Sequence, residues 1–202
     1  MPKLTASMAG KACAARALFG AALLACATLF SSPLAAQQRL LAAQSELSFT
    51  TRQMGVPVQG RFRNFDAQIA FDPKQPEAAR IALRIDLASA AIGTAETEAE
   101  LAKPGWFDTR KFPQASFVST NVKPVGPGRF DVAGQLTLKG TSRGVVVPVT
   151  LQQSGATSTA SGSFAIRRLD YRIGDGDWND TSLVADEVQV KFKLALTGVA
   201  AP

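Results

Sequence analysis

Between Ser45 and Leu196 apolar side chains return at every second position, and that period excludes most of what a chain of this length can fold into. Ile81, Leu83, Ile85 and Leu87 form the clearest run, with Ala82, Arg84 and Asp86 between them. Leu47 and Phe49 alternate in the same way, as do Ala67, Ile69 and Phe71 up to the turn at Asp72-Pro73. Phe130 and Val132 continue into Leu136 and Leu138, and Val145, Val147, Val149 and Leu151 resume in phase after "KGTSRG". Phe164 and Ile166 follow, and Val188, Val190, Phe192, Leu194 and Leu196 close the series. Ser116, Val118, Thr120 and Val122 also alternate, although Phe117 falls on the opposite phase. A pleated strand turns successive side chains to opposite faces, so eight or nine antiparallel strands are predicted.

One segment breaks the period. "TAETEAELAKPG", Thr94 to Gly105, has a capping threonine, Glu96 and Glu98 in its first turn, Lys103 near its end and Pro-Gly as a stop, the pattern of one short helix. The aromatic cluster "WFDTRKFP" follows it. Loops are expected at "DPKQPEA", "KPVGPGR" and the low-complexity stretch Gln152 to Gly162, which reads as a mobile hairpin tip. No internal repeat or linker divides the chain.

The first residues carry a different signal. Lys3, Lys11 and Arg16 precede the apolar run "ALFGAALLACATLF", and Ser31, Ser32, Pro33 and the small residues Ala35 and Ala36 come after it. That order is the order of a secretory signal peptide, so residues 1–36 are expected to be removed and residues 37–202 to form one domain. "LLAC" also resembles a lipoprotein box with Cys26 as the acylated residue, but the apolar run continues through Leu29 and Phe30, which favours cleavage after Ala35 or Ala36. The cut takes away three of the 22 basic residues and none of the 16 acidic ones, lowering the formal charge from +6 to +3. So weak a charge, with no basic run interleaved with aromatics, does not argue for nucleic acid. Both cysteines, Cys13 and Cys26, lie in the removed segment, and an exported domain of this size can do without disulfides. A bacterial periplasm is the expected location.

Composition narrows the chemistry further, because the chain has no histidine. Ser-His and Cys-His pairs, imidazole metal sites and an imidazole base are therefore excluded. Lys139, Ser142 and Arg143 in "KGTSRG" read as ordinary turn residues, and Asp108 and Glu100 as solvated acids beside the helix. In "DGDWND", Asp175, Asp177 and Asn179 have the opening spacing of a calcium loop with Asp186 at its twelfth position. The glycine needed at the sixth position is Asp180, and no helices flank the loop, so no metal is predicted. The segment reads as an acidic connection, with Trp178 covering one end of the fold. No cofactor is expected.

Strands with one consistently apolar face bury it by closing on themselves, which also removes exposed edges. The predicted class is all-β, a lipocalin-like closed antiparallel barrel of about eight strands with one short helix. Four stretches make this more specific: "SELSFTTRQMGVPVQGRFRNFDAQIAFDP", "WFDTRKFPQASFVSTNV", "GQLTLKGTSRGVVVPVTL" and "FAIRRLDYRIGDGDWNDTSLVADEVQVKFKL". In order and spacing, from about Ser45 to Leu196, they resemble the YceI-like family of secreted polyisoprenoid-binding proteins. The resemblance implies a barrel whose elongated cavity holds a polyprenyl or similar long-chain amphiphile, some relatives being linked to isoprenoid quinones or occurring beside membrane b-type cytochromes, and it carries over no catalytic residue. Two positions depart from the family pattern. Gln53 stands where many members have a histidine, and Glu96 to Glu98 where they have an Arg-Asp pair.

On this footing Phe49, Leu83, Ile85, Phe117, Leu136, Leu138, Phe164, Val190 and Phe192 are the expected contacts for a lipid tail. Arg168, matching a basic position before the family's last loop, is the expected contact for a polar head. The implied function is non-enzymatic: a periplasmic protein that transports, stores or sequesters a long-chain isoprenoid lipid. One alternative is a solid interaction module that docks on a membrane redox protein through Trp106, Phe107 and Trp178. A hydrolase or isomerase using Ser142 is the other, disfavoured by the missing histidine.

Overall fold

The structure is a computed structural model and describes residues 38–200. The expected signal peptide and both cysteines lie outside the described residues. The domain is all-β with one short helix, α1 (Ala95–Leu101). Its strands are β1 (Arg39–Leu40), β2 (Glu46–Gln53), β3 (Val56–Phe62), β4 (Phe65–Ala70), β5 (Arg80–Asp86) and β6 (Ala90–Ala91), followed by β7 (Gln114–Gly126), β8 (Arg129–Leu138), β9 (Thr141–Ser154), β10 (Thr157–Arg167) and β11 (Glu187–Thr197). Ten of them form one antiparallel path in the order β4-β5-β7-β8-β9-β10-β11-β2-β3-β6, and β1 adds two pairs to β11.

The sheet curls into an open half-barrel, which corrects the expectation of a closed eight-stranded barrel. The reason lies between β3 and β4. They are separated only by Arg63 and Asn64, yet the backbone there bonds to the Leu87–Ser89 turn rather than strand to strand. Arg63 N–H donates to Ser89 O (3.1 Å), Asn64 N–H to Ser89 Oγ (3.0 Å), and Asp86 N–H to Asn64 O (3.0 Å). The wedge holds the two ends of the path apart, so β4 and the two-residue β6 remain as edges.

Tight hairpins fix the register elsewhere. Gln53 pairs with Val56 across Met54-Gly55, and Leu138 pairs with Thr141 across Lys139-Gly140. Both central residues of each turn have positive φ, 46° and 80° in the first and 48° and 73° in the second. That is the two-residue connection whose twist matches a right-handed sheet. The stretch Gln152 to Gly162 is a second correction: it is strand on both sides of a two-residue turn at Gly155-Ala156, with Ser154 opposite Thr157. Its small polar residues resemble a loop in composition, but cross-strand pairing to β9 and β11 decides their conformation.

The predicted helix is present but shorter than the sequence signal. Thr94 caps it by accepting from Thr97 N–H, and it ends at Leu101 instead of reaching Pro104. The chain then folds back, Phe107 N–H bonding Leu101 O (2.9 Å), and delivers Trp106 and Phe107 to the interior, where they are buried.

Candidate functional site

The inner face of the half-barrel encloses a cavity of about 560 Å³. That volume falls in the range of roughly 300–1,000 Å³ typical of pockets that bury a small ligand. All ten residues expected at a lipid site line it: Phe49, Leu83, Ile85, Phe117, Leu136, Leu138, Phe164, Val190 and Phe192 on six strands, and Arg168 just after β10. The strand period puts them there, since residues two apart share a face and the outward positions between them, such as Val118 and Val146, are exposed. Several inner residues, Phe49, Leu83, Phe164, Val190 and Phe192 among them, are only half-buried because the hollow is not filled by neighbouring side chains.

One end is closed by aromatic and helical elements. Phe49 packs on Phe62 (centroids 5.3 Å apart), Phe62 on Phe107 (6.2 Å) and Trp106 on Trp178 (5.6 Å). Helix α1 adds Leu101 to the lining, and Glu96, Thr97 and Glu100 with it. Trp106 and Phe107 are thus walls of the hollow, correcting their expected place on an exposed docking surface; Trp178 alone of the three is exposed, at 40%. Other exposed apolar residues are Met54 and Val56 at the β2–β3 tip and Leu183, whose carbonyl accepts from Met54 N–H at 2.9 Å.

Arg168 lines the cavity but is not arranged to meet a head group. It is buried, and each of its five N–H groups donates to a backbone carbonyl. Nε bonds Ala185 O (3.1 Å), Nη1 bonds Ile173 O (2.9 Å) and Gly174 O (2.7 Å), and Nη2 bonds Trp178 O (2.7 Å) and Val184 O (2.8 Å). The side chain therefore holds the Ile173–Ala185 loop, which carries Trp178 to the closed end, and the expected head-group role is corrected accordingly. Burial lowers its pKa from the usual arginine value, while the charge of Asp186 acts in the opposite direction.

Other groups singled out in the sequence are kept apart. Ser142 Oγ lies 2.7 Å from Thr137 Oγ1, whereas Lys139 Nζ bonds Arg172 O (2.5 Å) and reaches Asp175 Oδ1 at 3.5 Å, so they form no Ser-Lys pair. The calcium-like spacing is divided as well: Asp175 faces Lys139 and Arg172, Asp180 accepts from Ser182, and Asp186 accepts from Leu169 N–H. The lining residues not anticipated from sequence include Phe62, Ile92, Glu96 and Ile173. Phe62 lies on a strand interrupted by Pro57 and Gly60, Glu96 on the short helix read as a solvated element, and Ile92 and Ile173 on connections that no alternation reveals.

The half-barrel fold has known counterparts. A family model described as a YceI-like domain matches residues 39–196. The crystal structure of Burkholderia cenocepacia BcnA is 42% identical and superposes with a TM-score of 0.75, covering 77% of this chain and 98% of that one. A polyisoprenoid binding domain from Saccharophagus degradans, implicated in plant cell wall breakdown, shares the fold at 21% identity, with a TM-score of 0.66 over 82% of this chain and 99% of its own. A UPF0312 protein of Pseudomonas syringae pv. tomato is 35% identical over 98 residues, 48% of this chain and 51% of that protein. The chain spans about half the length of these curated Pseudomonas relatives.

Proposed function

The chain belongs to the YceI-like domain family, and from that premise we propose that it is a non-enzymatic binding protein that holds a polyisoprenoid or similar long-chain amphiphile in the hollow of its half-barrel. One observation carries the reading: a continuous cavity of about 560 Å³ whose lining contains only three charged residues, Glu96, Glu100 and Arg168. The description of the Saccharophagus relative as a polyisoprenoid binding domain supports the choice of ligand.

The energetics suit a carrier. Each buried methylene is worth about 0.8 kcal/mol against water, so a long tail partitions strongly out of solvent. When the tail comes from a membrane the exchange is apolar for apolar, near balance, and can run in either direction. In this reading the protein is exported to the periplasm, where it transports, stores or sequesters the lipid. Native mass spectrometry of protein purified from its own host, followed by organic extraction, tests it. A stoichiometric prenyl lipid released on extraction is the expected result; protein that is empty and takes up no added prenol overturns the reading.

The second reading, a module that docks on a membrane redox protein, draws on the exposed apolar side chains of Met54, Val56, Trp178 and Leu183. A stoichiometric protein partner co-purifying with an empty cavity would select it.

A further inference from the structure

A residue with a Cβ is poorly suited to the left-handed backbone region, yet two of the tight hairpins place one there, Met54 (φ 46°) and Lys139 (φ 48°). Lys139 has a structural reason for its position: its buried side chain donates to Arg172 O and reaches Asp175. Met54 has no such tie. It is 76% exposed, the most of any large apolar residue described, in a turn that Asn or Asp before Gly would fit better. Val56, across the turn, is 62% exposed, and Leu183, whose carbonyl accepts from Met54 N–H, is 43% exposed. A backbone bridge between Gln53 and Val184 joins the same two segments, and both of these residues line the cavity. The apolar tip thus adjoins the cavity wall.

The sheet face that runs up to this tip is basic. Its outward positions on β10, β11, β2 and β3 carry Arg167, Lys191, Lys193, Arg52 and Arg61 against Glu46 and Glu187, a net +3. None of the five cations is in an ion pair among the described residues, and Lys191 and Arg61 flank Ser48 in one cross-strand row with no acid between them. Three apolar side chains fall far short of the roughly 20–30 residues that a specific protein interface takes from each partner. A bilayer surface accepts a few apolar side chains at a time, and anionic headgroups add about 1 kcal/mol for each Lys or Arg brought near them. We infer that Met54, Val56 and Leu183 insert into the surface of a bilayer that carries anionic headgroups, with the basic face of β10, β11, β2 and β3 turned toward those headgroups. This surface is distinct from the cavity, and its binding does not require the cavity to be loaded. It brings the Gln53–Val184 edge of the cavity wall to the bilayer.

The test is co-sedimentation of the protein, purified as its own host makes it, with protein-free vesicles of phosphatidylcholine alone or with about a third phosphatidylglycerol. Binding to the anionic vesicles is expected to be at least about tenfold stronger and to weaken as salt is raised. Met54→Asn supplies the residue that the turn prefers, so its melting temperature should hold or rise while its vesicle binding falls at least about fivefold. Lys191→Gln/Lys193→Gln should reduce the preference for anionic vesicles by at least about fivefold. Val146→Thr, at an outward position of β9 that is 59% exposed, should bind as the unaltered protein does. Protein that stays in solution with both kinds of vesicle overturns the inference, and so does binding without preference for the anionic ones. Vesicle binding that Met54→Asn leaves intact, or that Val146→Thr lowers equally, also overturns it. Retention on a membrane protein, with none on bare vesicles, gives the tip to a protein partner and overturns it too.

Discussion

A Cβ placed on Gly60 would lie 2.3 Å from Cζ of Phe49, its cross-strand partner in the β2–β3 pair. The phenyl ring occupies the volume that any other residue's side chain would take. The arrangement recurs around the wall: Phe117 lies over Gly134, where a Cβ would sit 2.5 Å from the ring, and Phe192 lies over Gly162, where it would sit 2.6 Å away. Each glycine lets a large ring lie back against the neighbouring strand, so the wall is apolar and continuous without the rings filling the centre.

Replacing Gly60 by alanine is therefore expected to act through Phe49. The three heavy atoms nearest the new methyl all belong to the Phe49 ring, which lines the cavity and would have to yield. The overpacking should cost about 1–3 kcal/mol in urea denaturation and reduce prenol uptake. Adding Phe49→Ala to the Gly60→Ala chain removes the obstruction, and uptake should recover. Unchanged uptake in Gly60→Ala, or none regained in the double variant, would separate the glycine from the shape of the hollow.

Arg168 supports the Ile173–Ala185 loop as a guanidinium, and lysine cannot replace it. An ammonium has three donors against the five carbonyls now satisfied, and it lacks the planar fork. Each carbonyl left buried without a partner costs about 1–3 kcal/mol, so Arg168→Lys should lose roughly 2–5 kcal/mol of stability. Hydrogen exchange gives the sharper readout. The amides of Val184 and Ala185, now bonded to Asp180 O and Arg52 O, should exchange faster, with little change in the β8–β9 pair. Arg172→Lys, at a side chain 76% exposed, should shift stability by no more than about 0.5 kcal/mol. Equal losses for the two substitutions would remove Arg168 from this role.

Most of the wall was legible in the sequence because strand period and burial are the same fact here. Every tail contact expected from the sequence lines the hollow, including Phe117, which the alternation of its own strand left out of phase. The ambiguous strand was ambiguous for a physical reason. Phe117 and Val122, five residues apart, both point inward because β7 shifts register against β8 between Ser119 and Asn121. An extra residue at a bulge reverses the phase, and no periodic reading anticipates it. β3 was missed because Pro57 and Gly60 imitate a turn, when Gly60 is there to accommodate Phe49. Closure was misjudged because the Leu87–Ser89 wedge is built from long-range backbone bonds to Arg63 and Asn64. Arg168 was placed correctly at the cavity but given the wrong task, since its carbonyl partners lie 5 to 17 residues away and leave no pattern in the chain.

The end of edge strand β4 is held by a side chain acting as a strand. Gln38 Nε2 donates to Phe71 O (2.7 Å), and Phe71 N–H donates to Gln38 Oε1 (2.9 Å). The Phe71 ring meets Phe130 edge-on, with centroids 5.1 Å apart. Gln38→Ala removes both bonds and is expected to cost about 1–2 kcal/mol, near twice the net value of one ordinary hydrogen bond. The Phe71 amide should lose exchange protection while Leu83 and Ile85 keep theirs. Gln38→Glu retains the acceptor but not the donor at neutral pH, so its effect should fall between the two. Full protection of Phe71 in the alanine variant would show that the strand end is held by packing alone.

Tyr171 gives the turn after Arg168 a titratable reporter, because it is the only tyrosine in the chain. It closes the short turn after Arg168, is 2% exposed, and precedes Ile173, a cavity wall. Burial raises its pKa above the ordinary phenol value, Asp170 adds to the rise, and Arg143 offsets part of it. Folding thus favours the neutral phenol. The contribution to stability is fully present below the unfolded value of about 10 and is lost as pH rises through the higher native value. Phenolate absorbance should titrate later in the native protein than in urea, and the melting temperature should fall over that alkaline interval. Tyr171→Phe keeps the packing and has no proton to lose, so the part of the alkaline fall due to this residue should disappear with it. Coincident titrations in the folded and urea-unfolded protein would mean that water reaches the phenol and that the turn behind Arg168 is open.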